Sequence, residues 1–93
     1  MSERREFFSR TIKYRSKIDI ISTILEAANG GDTTKTKIMY GAFLSYDQLR
    51  GYVGILSENG LLDYDSNTRT FKTTEKGLRF LDAYKHMDAM TKE

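Results

Sequence analysis

The segment from Thr33 to Gly77 constrains the fold of this chain more than any other part of it. It reads TTKTKIMYGAFLSYDQLRGYVGILSENGLLDYDSNTRTFKTTEKG. Two short helical patterns meet at Gly41, and the second ends at Asn59-Gly60, ahead of two strand-like runs. Two helices joined by a tight turn and followed by a hairpin are the skeleton of many nucleic-acid-binding domains. The segment therefore predicts a small α+β fold, mainly helical, with a binding function.

Capping residues set the expected limits of the helices, because the chain contains no proline. Ser16 caps a first helix that Gly30-Gly31 end, Ser45 caps the third helix and Thr74 caps the last. Apolar residues recur at helical spacing in these three segments. The predicted helices are residues 17–29, 35–40, 46–58 and 75–90, and the predicted strands are residues 61–65 and 69–73.

The composition restricts the class of protein. Ninety-three residues suffice for one small domain with a single core. The absence of Cys excludes disulfides and thiolate metal sites. No apolar run approaches the roughly 20 residues of a membrane span, and the initial MSERREFFSR lacks the apolar stretch of a secretory signal. These features predict a cytoplasmic protein that is not bound to a membrane.

Charge is distributed unevenly along the chain. Residues 1–17 hold six basic and two acidic side chains, a net charge of +4, whereas the remainder has a net charge of −2. A basic segment beside a near-neutral domain suits a polyanionic partner, although a solvated terminus has the same composition. The chain is therefore divided into a basic N-terminal arm (1–15), a helix-turn-helix core with its hairpin (16–74) and a C-terminal helix (75–93).

Several motifs together carry a family resemblance. They are T-K-T-x-I-M-Y, L-S-x-x-Q-L, E-N-G-L-L and T-x-K-G, in this order. The chain resembles the archaeal winged helix-turn-helix DNA-binding proteins, which are predicted transcriptional regulators and include small chromatin-associated proteins. The resemblance covers residues 12–84. It implies three helices, a two-stranded β-hairpin wing and a C-terminal helix.

The resemblance also implies double-stranded DNA as partner, a nucleoid-associated location and a homodimer. In the chromatin-associated members, long C-terminal helices pair as an antiparallel coiled coil. The C-terminal helix of this chain offers only some two heptads, which is short for a coiled coil. A smaller helical contact is the expected dimerisation element, helped by Phe7, Phe8 and Ile12 of the arm. Its candidate residues are Leu78, Leu81, Tyr84 and Met87.

The motif assigns DNA-binding roles by position, with the third helix in the major groove and the second across the backbone. Gln48 suits an adenine contact, and Arg50 suits guanine or phosphate unless it pairs with Asp47. Tyr46 suits a backbone contact or a half-buried position, and exposed Gln or Lys side chains are also ordinary on any surface. The candidate DNA-binding residues are Lys35, Lys37, Ser45, Tyr46, Gln48, Arg50, Arg69, Lys72, Arg15 and Lys17.

Enzymatic functions find little support in the sequence. His86 is the only histidine, so neither a catalytic triad nor a histidine metal site is indicated. Gly30-Gly31 lacks the spacing and the Lys of a phosphate-binding loop. We expect no catalysis, no cofactor, no metal and no small-molecule substrate. The alternative is a winged helix that binds another protein, with Ile55 and the small Gly51 and Gly54 admitting an apolar partner.

Overall fold

Four helices and one β-hairpin make up residues 15–90, the part of the chain that the computed structural model describes. The elements are α1 (Lys17–Ala27), α2 (Lys35–Gly41), α3 (Tyr46–Glu58), β1 (Leu62–Asp65), β2 (Thr70–Thr73) and α4 (Glu75–Met90). This order confirms the predicted α+β, mainly helical, winged helix-turn-helix fold. The predicted arm lies outside the described residues except for Arg15, and so do residues 91–93.

Each helix begins where a hydroxyl side chain can satisfy a free backbone N–H. The side chains of Ser16, Thr34, Ser45 and Thr74 each accept a hydrogen bond from the N–H three residues on, at 3.0 to 3.2 Å. At Ser16 and Ser45 the bond is reciprocal, since the side chain three residues on accepts from the backbone N–H of the serine. The caps predicted from the sequence are therefore present.

Most differences from the predicted limits lie at turns. Helix α1 ends two residues early, at Ala27, and the chain then passes through Gly30 and Gly31, which both have positive φ. Helix α2 extends by one residue to Gly41, and Phe43 has a φ of 56° in the turn that follows. Each strand is one residue shorter than predicted. In the second strand the reason is Arg69, whose φ of 58° belongs to the hairpin turn.

The hairpin has one buried and one exposed face. Its register pairs Leu62 with Thr73 and Tyr64 with Phe71, and these four side chains share the face directed at the helices. Phe71 also donates its N–H to the carbonyl of Thr33, at 2.7 Å, in a single β-bridge that the sequence does not indicate. This bridge ties the second strand to the residue that precedes the cap of α2.

All elements contribute to one apolar core. Its fully buried large side chains come from all three helices of the helix-turn-helix region and from β1, and Leu81 closes the core from α4. Thr73 is the main polar member, and its hydroxyl donates to the carbonyl of Leu25 at 2.6 Å. The core residues are Ile24, Leu25, Ala28, Ile38, Ala42, Leu44, Leu49, Leu56, Leu62, Phe71 and Leu81.

Helix α4 packs against α1 through polar contacts at the edge of the core. The hydroxyl of Tyr84 donates to the carboxylate of Asp19, and this bond holds the pKa of Asp19 below its ordinary 3.8 and raises the pKa of Tyr84 above its ordinary 10.0. Lys85 and Glu26 form an ion pair at 2.9 Å. Within residues 15–90, no helix is both long and apolar enough to cross a membrane.

The packing of α4 buries two of the four residues predicted to mediate dimerisation, wholly or partly, and leaves the other two exposed. Leu81 is only 4% exposed, because it fills the core, and Tyr84 is turned toward α1. Leu78 and Met87 are exposed, but nine positions separate them, so they leave the helix on different sides. The four residues therefore do not form one exposed face.

Candidate nucleic-acid interface

Two cations converge on one aromatic ring where the start of α2 lies close to the start of α3. The Nζ atom of Lys35 lies 5.5 Å from the centroid of the Tyr46 ring, and the guanidinium carbon of Arg50 lies 5.9 Å from it. Lys35 is the first residue of α2, whereas Tyr46 and Arg50 are on the first turns of α3. Contacts of this kind attract a cation to the face of a ring and hold it in place. We call these three residues the cationic cluster.

A groove of about 300 Å³ extends from the cationic cluster along the side of α3 toward the hairpin. Leu49 and Val53 of α3 form one wall, and Tyr64 and Phe71 of the hairpin form the other. The two aromatic rings are 4.7 Å apart, and Tyr64 is half exposed. The groove therefore has an apolar floor and cations at its α2 end.

Two of the four residues of α3 that point directly away from the core are glycines. We call these four residues the outermost line of α3. Asp47, Gly51, Gly54 and Glu58 are all exposed and recur at intervals of four, three and four residues, opposite the buried Leu49 and Leu56. A Cβ atom added at either glycine would meet no atom within 4 Å. Asp47, in the first turn, is consequently the outermost side chain near the beginning of the helix.

Ser45 and Gln48 are engaged with each other's backbone. The Oε1 atom of Gln48 accepts a hydrogen bond from the N–H of Ser45 at 2.9 Å, and the hydroxyl of Ser45 accepts from the N–H of Gln48. A bidentate adenine contact requires the same amide oxygen to face a base. The capping box therefore directs Gln48 toward its own helix and away from the role predicted for it.

The sequence from residue 14 to residue 92 matches the model of a family described as winged helix-turn-helix. The chain belongs to that family. Its second and third helices are the helix-turn-helix, and its hairpin is the wing.

Two proteins of Methanocaldococcus jannaschii are similar to this winged-helix chain. MJ0290 is 38% identical over 68 residues, which are 73% of this chain and 31% of MJ0290. MJ0287 is 35% identical over 63 residues, which are 68% of this chain and 63% of MJ0287. The chain thus spans about a third of the first relative and somewhat less than two thirds of the second.

A solved structure with the same fold is that of Sso10a-2, a DNA-binding protein from Sulfolobus solfataricus. The two structures superpose with a TM-score of 0.74 over 84% of this chain and 83% of Sso10a-2. Their sequence identity is 21%. At that identity the similarity concerns the fold.

The remaining predicted contacts on the helices are dispersed. Lys37 is two residues, or about 200°, around α2 from Lys35 and leaves the helix on another side. The guanidinium of Arg15 donates to the carbonyls of Ala42, at 2.6 Å, and Phe43, so it holds the start of α1 against the turn before α3. Its Nε is buried and has no hydrogen-bond partner among residues 15–90. Lys17 is exposed on the first turn of α1.

The two basic residues predicted on the wing differ in position. Arg69 lies in the hairpin turn, where its N–H donates to the carbonyl of Asp65 at 2.7 Å. Lys72 lies on the outer face of the wing, directly opposite Asp63 in the register and away from the groove. Asp32 and Asp65 line the same outer depression. Lys72 thus shares this depression with three carboxylates.

Two groove residues, Tyr64 and Phe71, are not among the binding residues that the sequence predicts. From the sequence, both residues are expected only as members of the predicted strands 61–65 and 69–73. Alternation along the two strands places them on one face, but it does not show that this face adjoins α3. Among the described residues, no group of three or more His, Asp or Glu side chains is arranged to hold a metal ion.

Proposed function

We propose that this chain is a DNA-binding protein that docks α3 in the major groove of duplex DNA and contacts the backbone through basic side chains. The observation that carries the proposal is the convergence of Lys35 and Arg50 on Tyr46, which concentrates positive charge beside the first turn of α3. In a helix-turn-helix, this turn faces the base edges while the start of the preceding helix crosses the phosphates. Membership in the family and the fold shared with a DNA-binding protein support the proposal.

The cationic cluster supplies the electrostatic part of binding. Lys35 and Arg50 contact phosphates on the two sides of Tyr46, and each neutralised phosphate releases condensed counterions. Arg69 at the wing tip and the basic residues of segment 1–14 add further phosphate contacts. Lys72 is omitted from this surface, because it lies on the other face of the wing, in a depression that it shares with Asp32, Asp63 and Asp65. Such an interface is strongly salt dependent and has modest sequence preference, which suits a transcription regulator or a nucleoid component in the cytoplasm.

The proposed role is binding rather than catalysis. The surface offers two cations, an aromatic ring and an apolar groove.

Charge reversal tests the DNA-binding surface. Lys35→Glu combined with Arg50→Glu is expected to weaken binding to random duplex DNA at least tenfold and to reduce the slope of log K against log salt by about 2, one unit for each lost phosphate contact. Arg79→Glu is the control, because Arg79 is an exposed cation on α4 and its reversal makes half the change in net charge of the double variant. Fluorescence anisotropy of a labelled duplex at several salt concentrations measures both quantities.

Two outcomes of this titration would contradict the proposal. One is the absence of duplex binding by the folded wild-type protein at low salt. The other is a change in log K with the control that is half or more of the change with the double variant, which would mean that only net charge matters and that the cationic cluster has no special place. Circular dichroism confirms that each variant is folded before its affinity is compared.

A homodimer completes the proposed function. Phe80, Ala83, Met87 and Met90 recur on α4 at intervals of three, four and three residues, the spacing of a coiled-coil seam. Met87 is 58% exposed, and Met90 is 69% exposed. This seam replaces the predicted set that includes Leu81, since Leu81 belongs to the core. It gives a second copy of the chain about one and a half heptads of apolar contact, at the start of which Phe80 is also partly buried against the core. Pairing brings two α3 helices to one duplex.

The dimer is tested by sedimentation at several protein concentrations. Met87→Glu is expected to shift the mass toward that of the monomer, because it places a charge in the seam. Ala89→Glu, on the other side of α4, is expected to leave the mass unchanged. A wild-type protein that remains monomeric at high concentration would contradict the dimer.

The alternative, a protein-interaction module, is favoured by one observation. Tyr40 and Phe43 at the end of α2 are 71% and 69% exposed, and both are large aromatic side chains. Exposed aromatic residues are common anchors in protein interfaces. The salt titration distinguishes the two functions, because a module of this kind would not bind duplex DNA in a salt-dependent manner.

A further inference from the structure

We infer that Asp47 determines the sequence preference of this protein by accepting a hydrogen bond from the N4 amino group of a cytosine in the major groove. The inference rests on the proposed DNA-binding function and goes beyond it, because it names the residue and the base. A carboxylate at this position repels the phosphates of DNA. The position of Asp47 in the structure instead allows its carboxylate to accept a hydrogen bond from a base.

The geometry of α3 leaves Asp47 as the side chain best placed to reach a base. It lies on the outermost line of the helix and in its first turn, the part of a recognition helix that approaches base edges. Gly51 and Gly54 follow on the same line, and neither carries a side chain that would hold the duplex away. The backbone of α3 can therefore approach the groove floor closely, which brings the short Asp side chain within reach.

The neighbouring polar residues have other partners. Gln48 gives its amide oxygen to the N–H of Ser45. Arg50 lies against the ring of Tyr46, on the flank that faces the wing, where it suits phosphate. The structure gives the carboxylate of Asp47 no hydrogen bond or ion pair within residues 15–90, so both of its oxygens remain available to a ligand.

The chemistry of a carboxylate selects among bases. An ionised Asp only accepts hydrogen bonds, and cytosine presents an amino donor in the major groove, whereas guanine and thymine present acceptors at the corresponding positions. Adenine also has an amino donor, but its N7 acceptor lies beside it and repels the second carboxylate oxygen. The negative charge further weakens binding at sites where it meets no donor. Asp47 thus favours C·G at one position of each site and disfavours the others.

Selection of binding sites from random duplexes tests the inference, at about physiological salt so that non-specific binding is suppressed. The wild-type protein is expected to prefer cytosine at one position by about five- to tenfold, the lower end of what one base contact supplies. Asp47→Asn is expected to move that preference to adenine, because an Asn amide both donates and accepts. Asp47→Ala is expected to lose the preference and to bind random DNA more tightly.

Glu58→Gln is the matched control. Glu58 is exposed on the same line of α3, at its other end, so the substitution also removes one negative charge from this surface. It is expected to leave the preferred base unchanged. Circular dichroism of Asp47→Asn excludes unfolding as the cause of a lost preference.

The outcomes separate this inference from the proposal on which it rests. If the folded wild-type protein binds no duplex, the proposed function itself is wrong. If it binds duplex DNA and the wild-type and Asp47→Asn proteins select the same base, the role of Asp47 is wrong while DNA binding stands. If Glu58→Gln changes the preferred base as Asp47→Asn does, the effect arises from charge alone, and the assignment of a cytosine contact is overturned.

Discussion

Substitution of Gly77 by Ala is expected to destabilise the fold, although alanine is the better helix former. Gly77 is in the first turn of α4 and is buried. A Cβ atom added there would lie 2.6 Å from the Cγ2 atom of Thr73 and would overlap the carbonyl oxygen of Leu61. Carbon atoms in contact are normally about 3.5–4.0 Å apart. Both neighbours must therefore move by about 1 Å.

The surroundings make this movement costly. The carbonyl of Leu61 accepts the N–H of Thr74 at 3.1 Å, and Thr74 in turn caps α4, so a shift of the carbonyl strains the start of that helix. Overpacking of this kind costs about 1–3 kcal/mol, whereas the exchange of Gly for Ala in a helix returns about 1 kcal/mol. We expect Gly77→Ala to lower the free energy of unfolding by a net amount of up to about 2 kcal/mol. For a domain of this size, that corresponds to a fall in the melting temperature of up to about 15 °C.

Gly54→Ala provides the opposite expectation from the same chemical change. A Cβ atom at Gly54 meets nothing within 4 Å, and the residue is inside α3, so only the helix-forming tendency of alanine contributes. It is expected to raise stability by about 0.5–1 kcal/mol. Urea denaturation followed by circular dichroism, at one protein concentration, measures both variants. If the two substitutions change stability in the same direction, the close approach at Gly77 does not control the packing of α4 and the reasoning is refuted.

Two further substitutions test polar contacts between distant parts of the chain. Tyr84→Phe removes the hydrogen bond that holds the pKa of Asp19 below 3.8. The hydrogen bond contributes about 1–2 kcal/mol to stability. This contribution is present above about pH 4 and is lost as the pH falls through the folded-state pKa of Asp19. Between pH 7 and pH 2 the variant should therefore lose less stability than the wild type, and equal losses would contradict this account. Arg15→Ala removes the hydrogen bonds to the carbonyls of Ala42 and Phe43. It is expected to lower the free energy of unfolding by about 1–2 kcal/mol and to change DNA affinity less than twofold. A large loss of affinity with unchanged stability would instead support the DNA contact predicted from the sequence.

The order of the elements is predictable because local signals mark every boundary. Ser45 is the expected cap of α3, and Asn59-Gly60 marks the end of the same helix. Gln48, three residues after Ser45, shows that one position can fit two local patterns. The position of Gln48 on α3 suggests a base-reading side chain, whereas the capping box indicates that its amide is engaged by the backbone of Ser45.

The composition of the interface is less predictable, because it depends on which faces meet. Periodicity groups Leu81 with other apolar residues of α4, but only the packing of α4 on α1 shows that Leu81 is inside and Met87 outside. Alternation likewise separates Lys72 from Phe71 without indicating which face of the wing adjoins α3. The convergence of Lys35 and Arg50 on one ring joins residues 15 positions apart, and no local pattern reports such a contact.

The bridge between Thr33 and Phe71 has a consequence for how this surface can change over evolution. It joins the wing to the segment that leads into α2 through backbone atoms, and the buried hydroxyl of Thr73 anchors the same strand to α1. The spacing between the wing and Lys35 therefore depends little on which side chains are exposed there. Exposed residues near Lys35 and on the wing can therefore be exchanged one at a time without changing the backbone that positions them. A scaffold of this kind can acquire new surface side chains at little cost in stability, and it offers the same freedom to a designer.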